Sequence, residues 1–96
     1  MYLIEQAEEF VRWRQGVRDP VARTAIRRRM WRMSTGALGD IKPVGEGVSE
    51  ARVDVGAGYR LYFTTRGRSV IFLLCGGSKS TQDADIKTAR KLAKEI

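Results

Sequence analysis

The 96-residue sequence has no histidine, a single cysteine and only two prolines. Histidine is the side chain that most often moves protons near neutral pH, and together with cysteine it is the usual ligand of zinc. Cys75 has no partner for an internal disulfide and lies in an apolar stretch, which predicts a buried, unreactive thiol. We therefore expect a protein with no metal and no cofactor.

Long apolar runs are also missing. No segment approaches the roughly 20 consecutive apolar residues of a membrane-spanning helix. Residues 1–5 lack the basic flank and the apolar stretch that mark a secretion signal. These absences predict a cytoplasmic protein that does not contact a membrane.

Positive charge is abundant. Eighteen Lys and Arg residues face eleven Asp and Glu residues, for a formal net charge of +7. Such an excess attracts polyanions and speeds their capture, so it favours a nucleic acid or an acidic protein as partner. Hydrophobic residues make up 43% of the chain, which is enough for one core, and residues 1–96 are expected to form one domain.

Hydrophobic periodicity predicts seven elements of secondary structure. They are a strand at 2–5, helices at 6–17 and 20–34, strands at 48–55, 59–65 and 70–75, and a helix from about residue 80. Residues 36–47 are glycine-rich and are expected to form a loop. The strand at 70–75 is apolar at every position, which predicts that both of its faces are covered. The order β-α-α-β-β-β-α indicates an α+β fold, with helices packed on a small antiparallel sheet.

One polar row on the predicted sheet could carry chemistry. Glu50 and Arg52 share a strand face, as do Arg60 and Tyr62, and the two rows can lie side by side, with Lys79 at the rim. Because Leu61 and Phe63 take the core side of the same strand, Arg60 is expected to lie on the open face of the sheet. Cleavage within an RNA strand needs a base, cations at the phosphate and an acid for the leaving oxygen. Without histidine, Glu, Lys, Arg and Tyr are the candidates. The other interpretation is a set of ordinary cross-strand pairs on a half-solvated sheet.

The second predicted helix is strongly basic. Its arginines are Arg23, Arg27, Arg28, Arg29 and Arg32. Three consecutive arginines span about 200° of a helix, so they cannot all face one ligand. The helix could present a solvated basic face, contact phosphates or bind an acidic partner. Trp31 lies on the basic side, where it is either a stacking or anchoring residue or a residue at the boundary of the core.

Three stretches of sequence resemble the RelE/ParE toxin superfamily, and more narrowly the HigB-like "addiction module killer protein" group. They are KPVGEGVSEAR at 42–52, GYRLYF at 58–63 and LLCGGSKSTQDADI at 73–86, and the similarity extends over nearly the whole chain. The resemblance implies a RelE-like fold and the toxin of a type II toxin–antitoxin system. Such a toxin acts in the cytoplasm as a metal-independent, ribosome-dependent endoribonuclease that cleaves mRNA and blocks translation.

The resemblance also implies roles for individual residues. Arg60 matches the arginine assigned to the scissile phosphate, Arg52 falls on a position that is often basic, and Lys79 lies near the basic residue after the last strand. Because Glu50 is the only carboxylate on that face close to both arginines, we nominate it as general base, with Lys79 or Tyr62 as acid. Two departures stand out: some relatives have lysine at the position of Glu50, and the tyrosine or histidine often found near the C-terminus is missing.

Partners follow from the same resemblance. A cognate antitoxin, expected to be a helix-turn-helix protein from the adjacent gene, would neutralise the toxin by covering Arg28, Trp31 and Arg32. Ribosome and mRNA would be bound by a set of exposed cations, namely Arg27, Arg28, Arg32 and Lys42. Operator DNA would be contacted only through the antitoxin complex. Two alternatives stay open: a ParE-like toxin that inhibits DNA gyrase without cleaving RNA, and a degenerate toxin that only binds its antitoxin.

Overall fold

A computed structural model describes residues 1–96 and contains five strands and three helices. In chain order these are β1 (Leu3–Gln6), α1 (Glu8–Gly16), α2 (Pro20–Ser34), β2 (Ile41–Gly45), β3 (Val48–Val53), β4 (Tyr59–Arg66), β5 (Val70–Ser78) and α3 (Gln82–Lys94). A single 3₁₀ turn, Lys79–Thr81, links β5 to α3. The predicted α+β class is confirmed. None of the helices is long and apolar enough to cross a membrane.

The five strands form one sheet in the order β1-β5-β4-β3-β2. The four strands from β2 to β5 are antiparallel neighbours, as expected for strands joined by short turns. β1 pairs with β5 in parallel, with Leu3 opposite Val70. The prediction of a purely antiparallel sheet is therefore wrong. The sheet is mixed because two helices and three strands separate β1 from β5, and the chain returns beside β1 running in the same direction.

β2 is a strand that the sequence did not predict, because residues 36–47 were expected to be a loop. Pro43 has no backbone N–H to donate. It is tolerated in β2 because this strand lies at the edge of the sheet and has a neighbour on one side only. A two-residue turn, Glu46-Gly47, joins β2 to β3, and both residues have positive φ (55° and 79°). This is the backbone twist that suits a tight hairpin. The sequence gives no period-two signal here, because Ile41 and Val44 are three positions apart and the pairing with β3 is irregular between Pro43 and Gly45.

Both faces of the sheet are covered. α1 and α2 pack on one face, over a main core that includes Phe10, Ile26, Leu61 and Phe63. α3 packs on the other face, over a second core whose buried members are Val48, Tyr62, Leu74, Cys75 and Ala89. The prediction that β5 is covered on both sides is confirmed.

β5 carries an irregularity at Leu74 and extends beyond its predicted end. Tyr62 lies opposite Cys75, whereas Phe63 lies opposite Leu73, so Leu74 is an extra residue in β5. As in other bulges, the alternation of faces is interrupted, and both Leu74 and Cys75 belong to the core under α3. The strand then continues to Ser78, although the sequence predicted an end at Gly76.

Gly76 and Gly77 allow two helices to approach β5 closely. A Cβ atom at Gly76 would overlap the ring of Trp13, and one at Gly77 would overlap the carboxylate of Asp85. These glycines therefore set the distance of α1 and α3 from the sheet.

We expect Gly76→Ala to lower the free energy of unfolding by about 1–3 kcal/mol, because the Trp13 indole must move away from the sheet. Gly16→Ala is the matched control, since nothing lies within 4 Å of its added Cβ. Urea denaturation measures both. Equal stability of the two variants would contradict the close packing of Trp13 on β5.

Candidate functional site

The predicted polar row is assembled on the face of the sheet that α3 covers. Glu50 lies opposite Tyr62, and Arg52 lies opposite Arg60, in the antiparallel pairing of β3 with β4. The predicted juxtaposition of these four residues is confirmed.

Glu50 is the centre of the cluster. Its Oε2 atom lies 3.2 Å from Arg60 Nε, and its Oε1 atom lies 3.6 Å from Arg52 Nε. Gln82, the first residue of α3, donates a hydrogen bond from Nε2 to Glu50 Oε2 at 3.3 Å. A buried carboxylate needs such partners, because removing it from water without them costs several kcal/mol.

The expectation that this face is open is wrong. Glu50 and Tyr62 are fully buried, the Arg60 side chain is 10% exposed, and the Arg52 side chain is 37% exposed. The cause is the apolar side of α3, where Ala89 packs in the same core as Tyr62. A ligand from solvent can therefore reach Arg52 and the edge of Arg60, but not the Glu50 carboxylate or the Tyr62 hydroxyl.

The buried Tyr62 hydroxyl and Cys75 thiol both have raised pKa values and are protonated near neutral pH. Burial, reinforced by the nearby Glu50 charge, raises the pKa of Tyr62 well above its ordinary value, and the hydroxyl has no hydrogen-bond partner. Burial raises the pKa of the Cys75 thiol to about 12, and its Sγ donates to the Asp85 carbonyl oxygen at 3.5 Å. Since the thiolate is the reactive form, Cys75 is inert near neutral pH, as the sequence predicted.

Lys79 is exposed where β5 ends and is held at the same end of the sheet as the arginines. Its backbone N–H donates to the Gly58 carbonyl at 2.8 Å, and Gly77, two residues earlier, lies opposite Arg60. Arg52, Arg60 and Lys79 thus lie at the same end of the sheet, on three chain segments. No group of three or more His, Cys, Asp or Glu side chains is placed to hold a metal ion.

The basic helix α2 presents a second surface. Arg27, Arg28, Trp31 and Arg32 are exposed, with Trp31 at 68%, so Trp31 is not a residue of the core. Arg28, Trp31 and Arg32 line a groove between α2 and residues 52–55, whereas Arg27 lies outside it. Lys42 is exposed on β2, opposite Glu50 in register, and is separate from this groove.

Arg29 points inward, unlike its neighbours. Its Nε donates to the Arg52 carbonyl at 3.0 Å, and its Nη1 and Nη2 donate to the Leu38 and Asp40 carbonyls at 2.5 and 2.9 Å. Burial lowers the pKa of Arg29 from its ordinary value. This arginine supports the backbone next to the groove, a role that a run of three arginines does not reveal in the sequence.

Gln82 is the site residue that the sequence did not single out. It belongs to the third matched stretch, but nothing in its polarity or spacing connects it to Glu50, 32 positions earlier. Only the docking of α3 on the sheet brings the two together.

No protein-family model matches the sequence. A protein of Haemophilus influenzae, whose name states only that it is uncharacterized, is 44% identical over 87 residues, which cover 91% of this chain and 88% of the relative. The chain belongs to the family of this Haemophilus protein.

We expect Arg60→Ala to lower the free energy of unfolding by about 3 kcal/mol, because it removes the nearest cation from a fully buried carboxylate. Arg12→Ala is the control, since Arg12 pairs with Glu8 in an exposed ion pair worth less than about 1 kcal/mol. Urea denaturation at neutral pH compares the variants. If Arg60→Ala is as stable as Arg12→Ala, the buried pair contributes nothing to the fold.

Proposed function

We propose that this chain has a RelE-like fold, is the toxin of a type II toxin–antitoxin pair, and cleaves mRNA on the ribosome. The proposal is supported by the sequence resemblance over nearly the whole chain and by the net charge of +7. The order of the helices and the meander from β2 to β5 agree with it.

The observation that carries the proposal is the convergence of Arg52, Arg60 and Lys79 at one end of the sheet. When the 2′-oxygen of RNA attacks the adjacent phosphorus, negative charge grows on the non-bridging oxygens while the bond to the 5′-oxygen breaks. Guanidinium groups can hold two phosphate oxygens at once, and preorganised cations lower the barrier at such a phosphate.

The geometry suggests a division of roles. Arg60 and Arg52 would hold the scissile phosphate, and Lys79, an exposed cation at the same end of the sheet, would protonate the leaving 5′-oxygen. Glu50 and Tyr62 do not reach an RNA while α3 is docked, so acid or base roles for them require the start of α3 to move. With α3 in place, the ribosome or the RNA itself would supply the base.

The groove beside α2 is the proposed antitoxin site. Its apolar lining includes Val21, Ala25, Val53 and Val55, and the exposed Arg28 and Arg32 lie at its rim beside Trp31. Apolar side chains flanked by carboxylates fit such a surface better than a phosphate backbone does. We therefore propose that an acidic, amphipathic segment of the antitoxin binds here, and that operator DNA is reached only through that complex.

A second candidate is a ParE-like toxin that inhibits DNA gyrase without cleaving RNA. The burial of Glu50 and Tyr62 favours it, because a toxin that acts only by binding needs no accessible acid or base.

We expect expression of the chain alone to arrest growth and to create new mRNA 5′ ends, mapped by sequencing. Lys79→Ala and Arg52→Ala should each reduce cleavage by about 100-fold or more without unfolding the protein, because both side chains reach solvent. Lys87→Ala, an exposed lysine on α3, is the control. Gyrase-dependent DNA damage without new mRNA ends would establish the second candidate, and normal growth with soluble protein would indicate a degenerate toxin.

We expect Trp31→Ala and Arg28→Ala each to weaken the complex with the product of the adjacent gene by about 2 kcal/mol, since a large aromatic and an arginine in one groove are typical binding hot spots. Arg27→Ala is the matched control, because Arg27 is exposed on the same helix but outside the groove. Calorimetry measures the affinities. Changes below about 0.5 kcal/mol for both groove variants would place the antitoxin elsewhere.

A further inference from the structure

A pocket lies at the C-terminal end of α1, on the face of the sheet opposite the Glu50 cluster. It is formed by two half-buried aromatic side chains, two exposed arginines and two residues at the end of the helix. Its lining residues are Arg12, Trp13, Gly16, Val17, Arg18 and Tyr59. The groove beside α2 and the cations at the rim of the sheet share none of these residues, so the pocket is a third, separate surface.

The two aromatic rings of the pocket are fixed in place but not fully covered. The Trp13 indole lies against Gly76, and its ring centroid is 6.3 Å from that of Tyr59, with an angle of 57° between the ring planes. Rings tilted this far do not stack face to face, and both side chains stay partly exposed. The pocket therefore offers preorganised aromatic surface, which lowers the cost of ordering when a ligand binds.

Gly16 leaves the space beside these rings open. It is the last residue of α1, and a Cβ atom built on it would meet nothing within 4 Å. Its φ angle is not positive, so neither backbone conformation nor a close contact requires glycine at this position. The missing side chain therefore serves the pocket and not the fold.

The charge around the rings is positive. Arg12 and Arg18 are both exposed; Arg12 pairs with Glu8 at 2.6 Å, whereas Arg18 forms no ion pair. Aromatic surface beside cations is the combination that binds single-stranded nucleic acids, because bases stack on the rings while the cations attract the phosphates. An aromatic side chain of a protein partner would use the rings but would not require the arginines.

The pocket opens at the end of the sheet where Lys79 lies. Tyr59 begins β4 opposite Ser78, the last residue of β5, and the Lys79 N–H donates to the carbonyl of Gly58. A strand of RNA that crosses this rim can therefore place a phosphate near Lys79 and the base of a neighbouring nucleotide on the α1 side of the sheet.

We propose that this pocket is a subsite for one base of single-stranded RNA. The base stacks on Trp13 and Tyr59, and the two flanking arginines contact the phosphates next to it. The identity of the strand as a cleaved mRNA rests on the proposed function. The base subsite itself rests on the aromatic and basic lining of the pocket.

The fluorescence of Trp13 tests the proposal without any cleavage. The chain has two tryptophans, so Trp31→Phe makes Trp13 the sole indole of the full-length protein. The probe is hexa-adenosine RNA with 2′-O-methyl groups, which block attack by the 2′-oxygen. We expect saturable quenching, because a base lies against the indole, and no quenching by an abasic strand that carries the same phosphates. Equal quenching by both strands, or by neither, would overturn the proposal.

Two variants test the pocket itself. Gly16→Leu adds a side chain beside the rings and Tyr59→Leu removes one ring, and each should weaken binding of the probe about 10-fold, the order of one lost base stack. Gln15→Leu is the matched control for the first, since it adds the same side chain at the preceding exposed position, outside the pocket. The abasic strand should bind all variants equally. Unchanged binding of the probe by both pocket variants would contradict the proposal.

Two further outcomes separate this subsite from the proposed function. Quenching of Trp13 as expected, in a chain that creates no new mRNA ends, would refute the proposed function and leave the base subsite standing. A weaker complex of Gly16→Leu with the product of the adjacent gene, with RNA binding unchanged, would show that the pocket binds a protein and that the base subsite is wrong.

Discussion

The burial of the Glu50 carboxylate is the constraint on which the arrangement of this protein depends. A charge on the inner face of a sheet is stable only with partners on several sides, and β3, β4 and α3 each provide one. The pairing therefore ties the register of two strands to the docking of the last helix. Stability and the candidate site share Arg52 and Arg60, so a change of either arginine affects both.

α3 has two effects on this face of the sheet. Its apolar side gives the face a second core, and its first turn leaves only the end of the cluster near Lys79 and Arg52 open to solvent. Arg52 and Lys79 are consequently exposed along one rim of the sheet, where α3 begins, and not across a broad surface. A rim of this kind suits a single backbone phosphate of an extended strand, whereas the wide groove beside α2 suits an amphipathic segment of a protein partner. The two surfaces are distinct, and they divide the basic residues between them.

The sequence predicted most of the elements because periodicity and turn residues are local signals. The apolar strand 70–75, the helix beginning at Pro20 and the pairing of the Glu50 row with the Arg60 row all follow from such signals. The errors have non-local causes. The parallel pairing of β1 depends on where β5 returns, and β2 is stabilised mainly by its neighbour. Exposure of Arg60 was misjudged because the residues that cover it lie more than 20 positions away, and Gln82 was missed for the same reason.

Arg29 ties α2 to the point where β2 begins beside β3, because its guanidinium donates to the Leu38 and Asp40 carbonyls before β2 and to the Arg52 carbonyl in β3. The Asp40 carbonyl also accepts from the Arg52 N–H, so this side chain holds the start of the edge strand against its neighbour. Lysine could not replace it equivalently, because one ammonium group lacks the planar fork that reaches carbonyls on two sides. Replacement of the arginines of α2 as a block would therefore mix two effects. A loss of RNA binding after removal of Arg29 would report a displaced start of β2, whereas the same loss after removal of Arg27 would report a missing phosphate contact.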